Sequence, residues 1–179
     1  KIDDQVLETL QKVVENLRSA GLTVDEKARP GFQLWESIHL RQAIVNQMLA
    51  GSLPLSAKSL AKQRDHQEKW GLFFERYDVL LTPVAPTVAF AHDQKQPFEY
   101  RRLVVNGVKT PMSDNLTWTT MAIVAGLPAT AAPVGLSESG LPVGIQIIGA
   151  QFEDRTTIDF ARGLSELVGG FVIPPGFEN

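Results

Sequence analysis

The sequence predicts an α/β fold in which a mixed sheet is covered by helices. Two observations carry that expectation. Segments of helical apolar period alternate with short, strand-like apolar runs, the order expected of layered α/β architectures. From Asn115 to Ser137 the chain also carries no charged residue, so this stretch should sit in the middle of a core, covered on both faces. A membrane span would need about twenty apolar residues without breakers, and Gly126-Leu127-Pro128, Pro133 and Gly135 interrupt this one. The expected local structure is a buried helix ending at Gly126, a tight corner at Leu127-Pro128, and a strand of small residues.

The elements follow in order. Val6, Leu7, Leu10, Val13, Val14 and Leu17 recur at helical spacing, with Asp3 and Asp4 at the start and Gly21 as a stop. Leu22-Thr23-Val24 reads as a short strand. Pro30-Gly31 opens a second helix, from Phe32 to about Ala50, with an apolar stripe of Trp35, Ile38, Val45 and Leu49; Gly51-Ser52-Leu53-Pro54 ends it. Ser56 caps a third helix that runs through Phe73-Phe74. Tyr77-Asp78-Val79-Leu80-Leu81, closed by Thr82-Pro83, has the pattern of a strand buried in a parallel sheet. Val84 to Tyr100 lacks periodicity and reads as loop. Leu103–Lys109 places β-rich arms around Asn106-Gly107, a pair that tolerates the positive φ of a two-residue hairpin turn. Ser113-Asp114 is placed to cap the uncharged helix. Ala129–Val134 and Val143–Ile148 read as strands joined by Ser137-Glu138-Ser139-Gly140. Asp154 caps a last helix with Ile158, Ala161, Leu164, Leu167 and Val168 inward, stopping at Gly169-Gly170.

At 179 residues the chain suits a single domain, residues 1–179, with a sizeable core. The formal charge of −3 is small, and no basic run or aromatic–basic interleaving suggests nucleic acid. There is no cysteine, hence no disulfide framework and no thiolate metal site. No secretory signal or polybasic anchor is present, and a cytoplasmic location without membrane attachment is expected. The sequence begins with Lys1 rather than Met, which fits either a clipped terminus or a piece of a longer polypeptide.

Side-chain chemistry by itself yields no complete active site. Glu36 and His39 share a helix face, but the carboxylate-and-histidine sites built this way need a second such pair. His66 lies among Arg64, Asp65 and Glu68, as on a solvated helix face, and His92 falls in the loop, so no metal site is expected. A serine nucleophile needs a strained or glycine-rich turn, a base and oxyanion donors. Gly-x-Ser-x-Gly is absent, and Ser137 and Ser139 sit in a turn where serine is usual for conformational reasons. The glycines around Gly135–Gly149 fit neither nucleotide fingerprint, and no cofactor is expected.

Four stretches, in order, resemble the C-terminal part of the amidase signature family, serine hydrolases that cleave carboxamide C–N bonds. They are Asp78–Pro83 with Ala85-Pro86-Thr87; Gly126-Leu127-Pro128-Ala129 followed by Pro133-Val134-Gly135; Gly140-Leu141-Pro142-Val143-Gly144-Ile145-Gln146-Ile147-Ile148-Gly149; and Phe152-Glu153-Asp154 through Ala161-Arg162. The similarity runs from about Leu22 to the end. It implies the C-terminal part of the amidase signature fold. It also implies a triad of nucleophilic Ser, bridging Ser with a cis peptide bond, and Lys, all in the N-terminal half of a family member. No Gly-Gly-Ser-Ser-like run occurs here, so no residue of this chain is assigned as catalytic.

What the resemblance does place on this chain is one wall of the acyl pocket: Trp118, Thr119, Met121, Ala122 and Ile123. Many relatives carry Asn at the position of Ile123, and the apolar residue here suggests an apolar lining. The three threonines Thr117, Thr119 and Thr120 serve either hydroxyl hydrogen bonds or close packing, and by their helical spacing Trp118, Met121 and Ile123 read first as plain core. The expectation is therefore a C-terminal amidase portion, inactive alone, whose partners are a small-molecule amide and the N-terminal half of the same protein. Without that half a sheet edge is exposed, and self-association, most simply as a homodimer, is the alternative. A non-catalytic binding module and an amidotransferase subunit are the competing readings; Ile123 and the hairpin Leu103–Thr110 favour a stand-alone amidase.

Overall fold

A computed structural model describes residues 1–51 and 54–177. Helix α1 (Asp4–Ser19) begins where Asp3 accepts a hydrogen bond from the Gln5 N–H at 3.3 Å. This is the capping that an acidic residue supplies to a free helical N–H. Val6, Val13 and Leu17 bury one face of α1. Helices α2 (Leu34–Leu49) and α3 (Ala57–Phe74) follow, and Ser56 caps α3 through the Ser59 N–H, as its sequence predicts. Ser52 and Leu53, part of the expected stop after α2, lie outside the described residues.

Strand β1 (Leu80–Pro83) leads through the long loop into the hairpin β2 (Arg102–Val105) and β3 (Val108–Pro111). Asn106 and Gly107 turn it with φ of 50° and 75°, the pair of positive angles that a type I′ turn demands. The short helix α4 (Thr120–Ala125), strands β4 (Ala129–Leu136) and β5 (Pro142–Ile148), and helix α5 (Asp154–Val168) complete the chain. The main sheet has the order β1-β5-β4, with both pairings antiparallel.

Two cores flank this sheet. Val143, Ile145 and Ile147 of β5 meet Ala132 and Val134 of β4 under α1 and α5, together with the buried Leu164 of α5. Ile148 points the other way, into Phe32, Trp70, Phe73, Met121, Ala122 and Ala125. The aromatic side chains there meet edge-on or stacked, Trp70 lying 5.5 Å from both Phe32 and Phe73. Alternation along β5 thus feeds both layers, which gives the α/β architecture its central strand.

Several local expectations need correction. The Tyr77–Leu81 run forms a strand only from Leu80, and it pairs antiparallel rather than parallel. Pro83 lacks an N–H and is confined to an edge, where β1 lies; Pro133 in the other edge strand obeys the same rule. Leu22-Thr23-Val24 forms no strand and has no strand partner among the described residues. In α2 the buried residues are Ser37 and Leu40, whereas Trp35 and Leu49 are exposed; this helix is apolar on several sides, so its period does not single out a face. Ser113 and Asp114 lie in a 3₁₀ turn, Met112–Leu116, and do not cap α4. Asp154 is the first residue of α5 rather than its cap, and Ile158 is exposed. Burial of the uncharged segment is also incomplete: Ala129, Ala131, Gly135 and Leu136 of β4 remain exposed.

Candidate functional site

The pocket-wall residues expected from the sequence all lie on α4 or the turn before it. A six-residue helix has no stability of its own in water, because nucleation costs more than so few bonds return. Here neighbouring amide side chains hold it. Gln63 and Gln67 of α3 donate from Nε2 to the carbonyls of Val124 and Ala125 at 2.9 and 3.1 Å. Those carbonyls belong to the last turn, which has no helical N–H to meet them. Gly126 closes the end with φ of 68°, and its N–H returns to the Ile123 carbonyl. At the opposite end the buried Gln146 of β5 donates to the Trp118 carbonyl at 3.2 Å and to Thr82 Oγ1 at 2.9 Å.

Within this frame Met121 and Ala122 are buried against Phe32, Trp70 and Ile148. Trp118 and Thr119 are half-buried, and Trp118 packs on the same aromatic cluster. Ile123 stands out, 64% exposed on a helix otherwise buried. The hydroxyls of Thr119 and Thr120 turn back onto the Leu116 carbonyl, at 3.2 and 2.6 Å, and so close the turn entering α4. Sequence reasoning does not single out Gln63, Gln67 or Gln146. Gln146 carries a visible signal, a lone amide in an apolar strand; the two α3 glutamines sit in a polar helix and carry none.

Two grooves lie away from the pocket-wall residues. One of about 730 Å³ runs between α1, α5 and the segment 22–29, with Tyr77 and Asp25 on its wall. Tyr77 donates to Asp25 at 2.7 Å, and the Lys27 and Ala28 N–H groups add bonds of 2.8 and 3.1 Å. That hydrogen bond from Tyr77, then the backbone donors, hold the Asp25 carboxyl below its ordinary range, and the bond to Asp25 raises the Tyr77 phenol. A second groove, about 430 Å³, lies between the segment 84–89 and the ends of β4 and β5.

No hydrolytic constellation accompanies these features among the described residues. Ser137 Oγ meets Ser139 Oγ at 2.8 Å and accepts from the Leu141 N–H at 3.2 Å, so both serines serve their turn. Glu36 accepts the Gln33 N–H at 2.7 Å as a helix cap, while His39 stacks edge-on against Trp35. His66 is not on a solvated face: it is 3% exposed, 4.5 Å from the Phe32 ring, with Nδ1 at 3.1 Å from the Lys62 carbonyl. Its charged neighbours Arg64, Asp65 and Glu68 point outward because only one side of α3 meets the core. No group of His, Cys, Asp or Glu able to hold a metal ion, and no helix long and apolar enough to cross a membrane, occurs among the described residues.

Comparison with known proteins places this architecture. The chain is 40% identical over 96 residues to the A subunit of the glutamyl-tRNA(Gln) amidotransferase of Zymomonas mobilis, a match covering 54% of this chain and 18% of that protein. It is 31% identical over 161 residues to the corresponding protein of Dehalococcoides mccartyi, covering 81% of this chain and 30% of that protein. The chain therefore matches less than a third of these relatives' length. The solved structure of the same amidotransferase component from Thermotoga maritima superposes with a TM-score of 0.69 at 23% identity, over 97% of this chain and 42% of that one. The family model for Amidase matches residues 33–158, which takes in α2 to the first turns of α5. With the β4–β5 pair, the Gly126 corner and the α5 junction in the arrangement that its motifs suggest, the chain belongs to the amidase signature family.

Proposed function

We propose that this chain is the C-terminal portion of a protein that cleaves a carboxamide C–N bond. In this reading the reactive groups come from the preceding part of the same polypeptide. A serine there attacks the carboxamide carbon, the amine or ammonia leaves with a proton passed through the bridging serine, and water then hydrolyses the acyl-enzyme. This chain supplies the wall behind the acyl group and is inactive on its own. The observation that carries the reading is the family match combined with the lack of any serine hydrogen-bonded to a base among the described residues. The exposed Ile123 on an otherwise buried helix supports a wall that faces the rest of the protein.

Trp118, Thr119 and Ile123 form the substrate-facing part of that wall, with Met121 and Ala122 packed behind them. An apolar acyl group suits it better than a charged one. In the long protein, Trp118→Ala should change the ratio of kcat/KM between bulky and small amides by about tenfold, the value of one or two lost apolar contacts. An unchanged ratio would return Trp118 to the core.

A second reading, an amidotransferase component that hands ammonia to a partner, is favoured by the amidotransferase relatives. The two part on one measurement. A stand-alone amidase turns over a simple amide without other proteins, whereas the amidotransferase reading expects turnover to depend on partner subunits. The location of the parent protein is proposed to be cytoplasmic, and a homodimer is the simplest assembly for it.

A further inference from the structure

The tip of the β2–β3 hairpin is fastened to the start of α1 by a two-way clip. Asn106 Oδ1 accepts the Asp4 N–H at 2.8 Å, and Asn106 Nδ2 donates to Asp4 Oδ1 at 2.8 Å. The Asn106 N–H donates to Asp3 Oδ2 at 2.9 Å, and the Asp3 N–H meets the Pro86 carbonyl at 2.7 Å. Asn106 thus satisfies one of the free N–H groups of α1 from a distant part of the sequence, while both acidic residues hold it in turn. The turn itself is exposed, and its next residue is Gly107.

That placement has chemical consequences. The amide nitrogen of Gly107, with no side chain beside it, is the least hindered nucleophile a backbone can present to an asparagine carboxamide. Its attack on Asn106 Cγ forms a five-membered imide and expels ammonia. Water then opens the imide at either carbonyl, leaving aspartate or isoaspartate at position 106. To react, the carboxamide must swing onto the backbone, and this breaks both of its bonds to Asp4. Once formed, the new carboxylate cannot donate to Asp4 and lies against Asp3 and Asp4, so like charges meet where a donor stood.

We infer that Asn106 is a deamidation site that the clip to Asp3 and Asp4 protects, and that conversion opens the clip irreversibly, freeing the hairpin from α1. The step needs water alone as co-reactant. It marks the chain with its age, and it is independent of the amide-cleavage reading above.

The purified chain is incubated in mildly alkaline buffer, and peptide mapping by mass spectrometry follows amide-to-acid conversion at position 106. Three samples are compared: the native chain, the Asp3→Ala/Asp4→Ala variant, and a free peptide spanning residues 101–111. The clip predicts slow conversion in the native chain and conversion about tenfold or more faster in the variant, the value of one charge-assisted hydrogen bond. The peptide should convert fastest. Equal rates in the native chain and the variant, or in the native chain and the peptide, would overturn the protection. Circular dichroism of the variant confirms that it is folded; if it is not, Asp4→Ala, which removes the acceptor of the Asn106 amide and leaves the helix cap at Asp3 in place, takes its part with the same expectation. In a separate arm, Asn106→Asp should speed hydrogen exchange at Asp4 and along β2 and β3. Unchanged exchange there would overturn the opening.

Discussion

Gly149 shows how a single atom constrains the junction between β5 and α5. A Cβ there would lie 2.7 Å from Thr157 Cγ2, a contact no real side chain makes, so only glycine lets α5 pack this closely. Thr157 in turn bonds Thr130 Oγ1 at 2.9 Å, tying α5 to β4. Asp25 and Tyr77 form the comparable polar tie, joining the coil after α1 to the end of α3. Its pH dependence has a definite sign. Asp25 is lowered from 3.8, so the stabilisation is complete above that value and is lost as pH falls through the lowered one. Tyr77 is raised from 10.0, so at the alkaline end the tie persists through that value and is lost as pH rises beyond the raised one. Tyr77→Phe should move the Asp25 carboxyl titration back upward, which carboxyl NMR would read. An unmoved titration would show that the backbone donors alone hold it.

At the scale of elements, α4 is a helix made by its surroundings. Two glutamines of α3 take its last carbonyls, and Gln146 takes the Trp118 carbonyl. Replacing Gln63 and Gln67 together by Ala should lower stability by about 1–3 kcal/mol, because two carbonyls lose their buried donors. It should also raise hydrogen exchange selectively over Thr120–Gly126. A uniform rise across the chain would contradict the local role. Some of this is legible in the sequence and some is not. The Asn106-Gly107 turn, the Ser56 cap and the Gly126 stop follow from local backbone preferences, and the structure has all three. The direction of β1, the inward face of α2 and the burial of His66 depend on what packs against them. Periodicity carries no information about a partner remote in sequence, and so it cannot supply those. The proposed pocket wall is legible only as far as α4. Which of its residues face outward is not, since all five are apolar or small enough to suit either side.

Taken as a whole molecule, the sheet ends at β1 and β4 on edges with no strand partner among the described residues. The small residues Ala129, Ala131 and Gly135 of β4 are exposed, and so is Ile123 of α4. Natural sheets rarely leave such an edge and face uncovered. The relatives extend far beyond the matched region. An uncovered edge and face are what the proposed supporting role expects of this chain.

The most direct test is amide turnover by the purified 179-residue chain, measured beside the longer protein that the proposed function requires. Ammonia or amine release is expected from that longer protein, with its partner subunits present where the second reading holds, and none from the chain alone. Turnover by the chain alone, persisting after repurification and with contaminating amidases excluded, would overturn the supporting role.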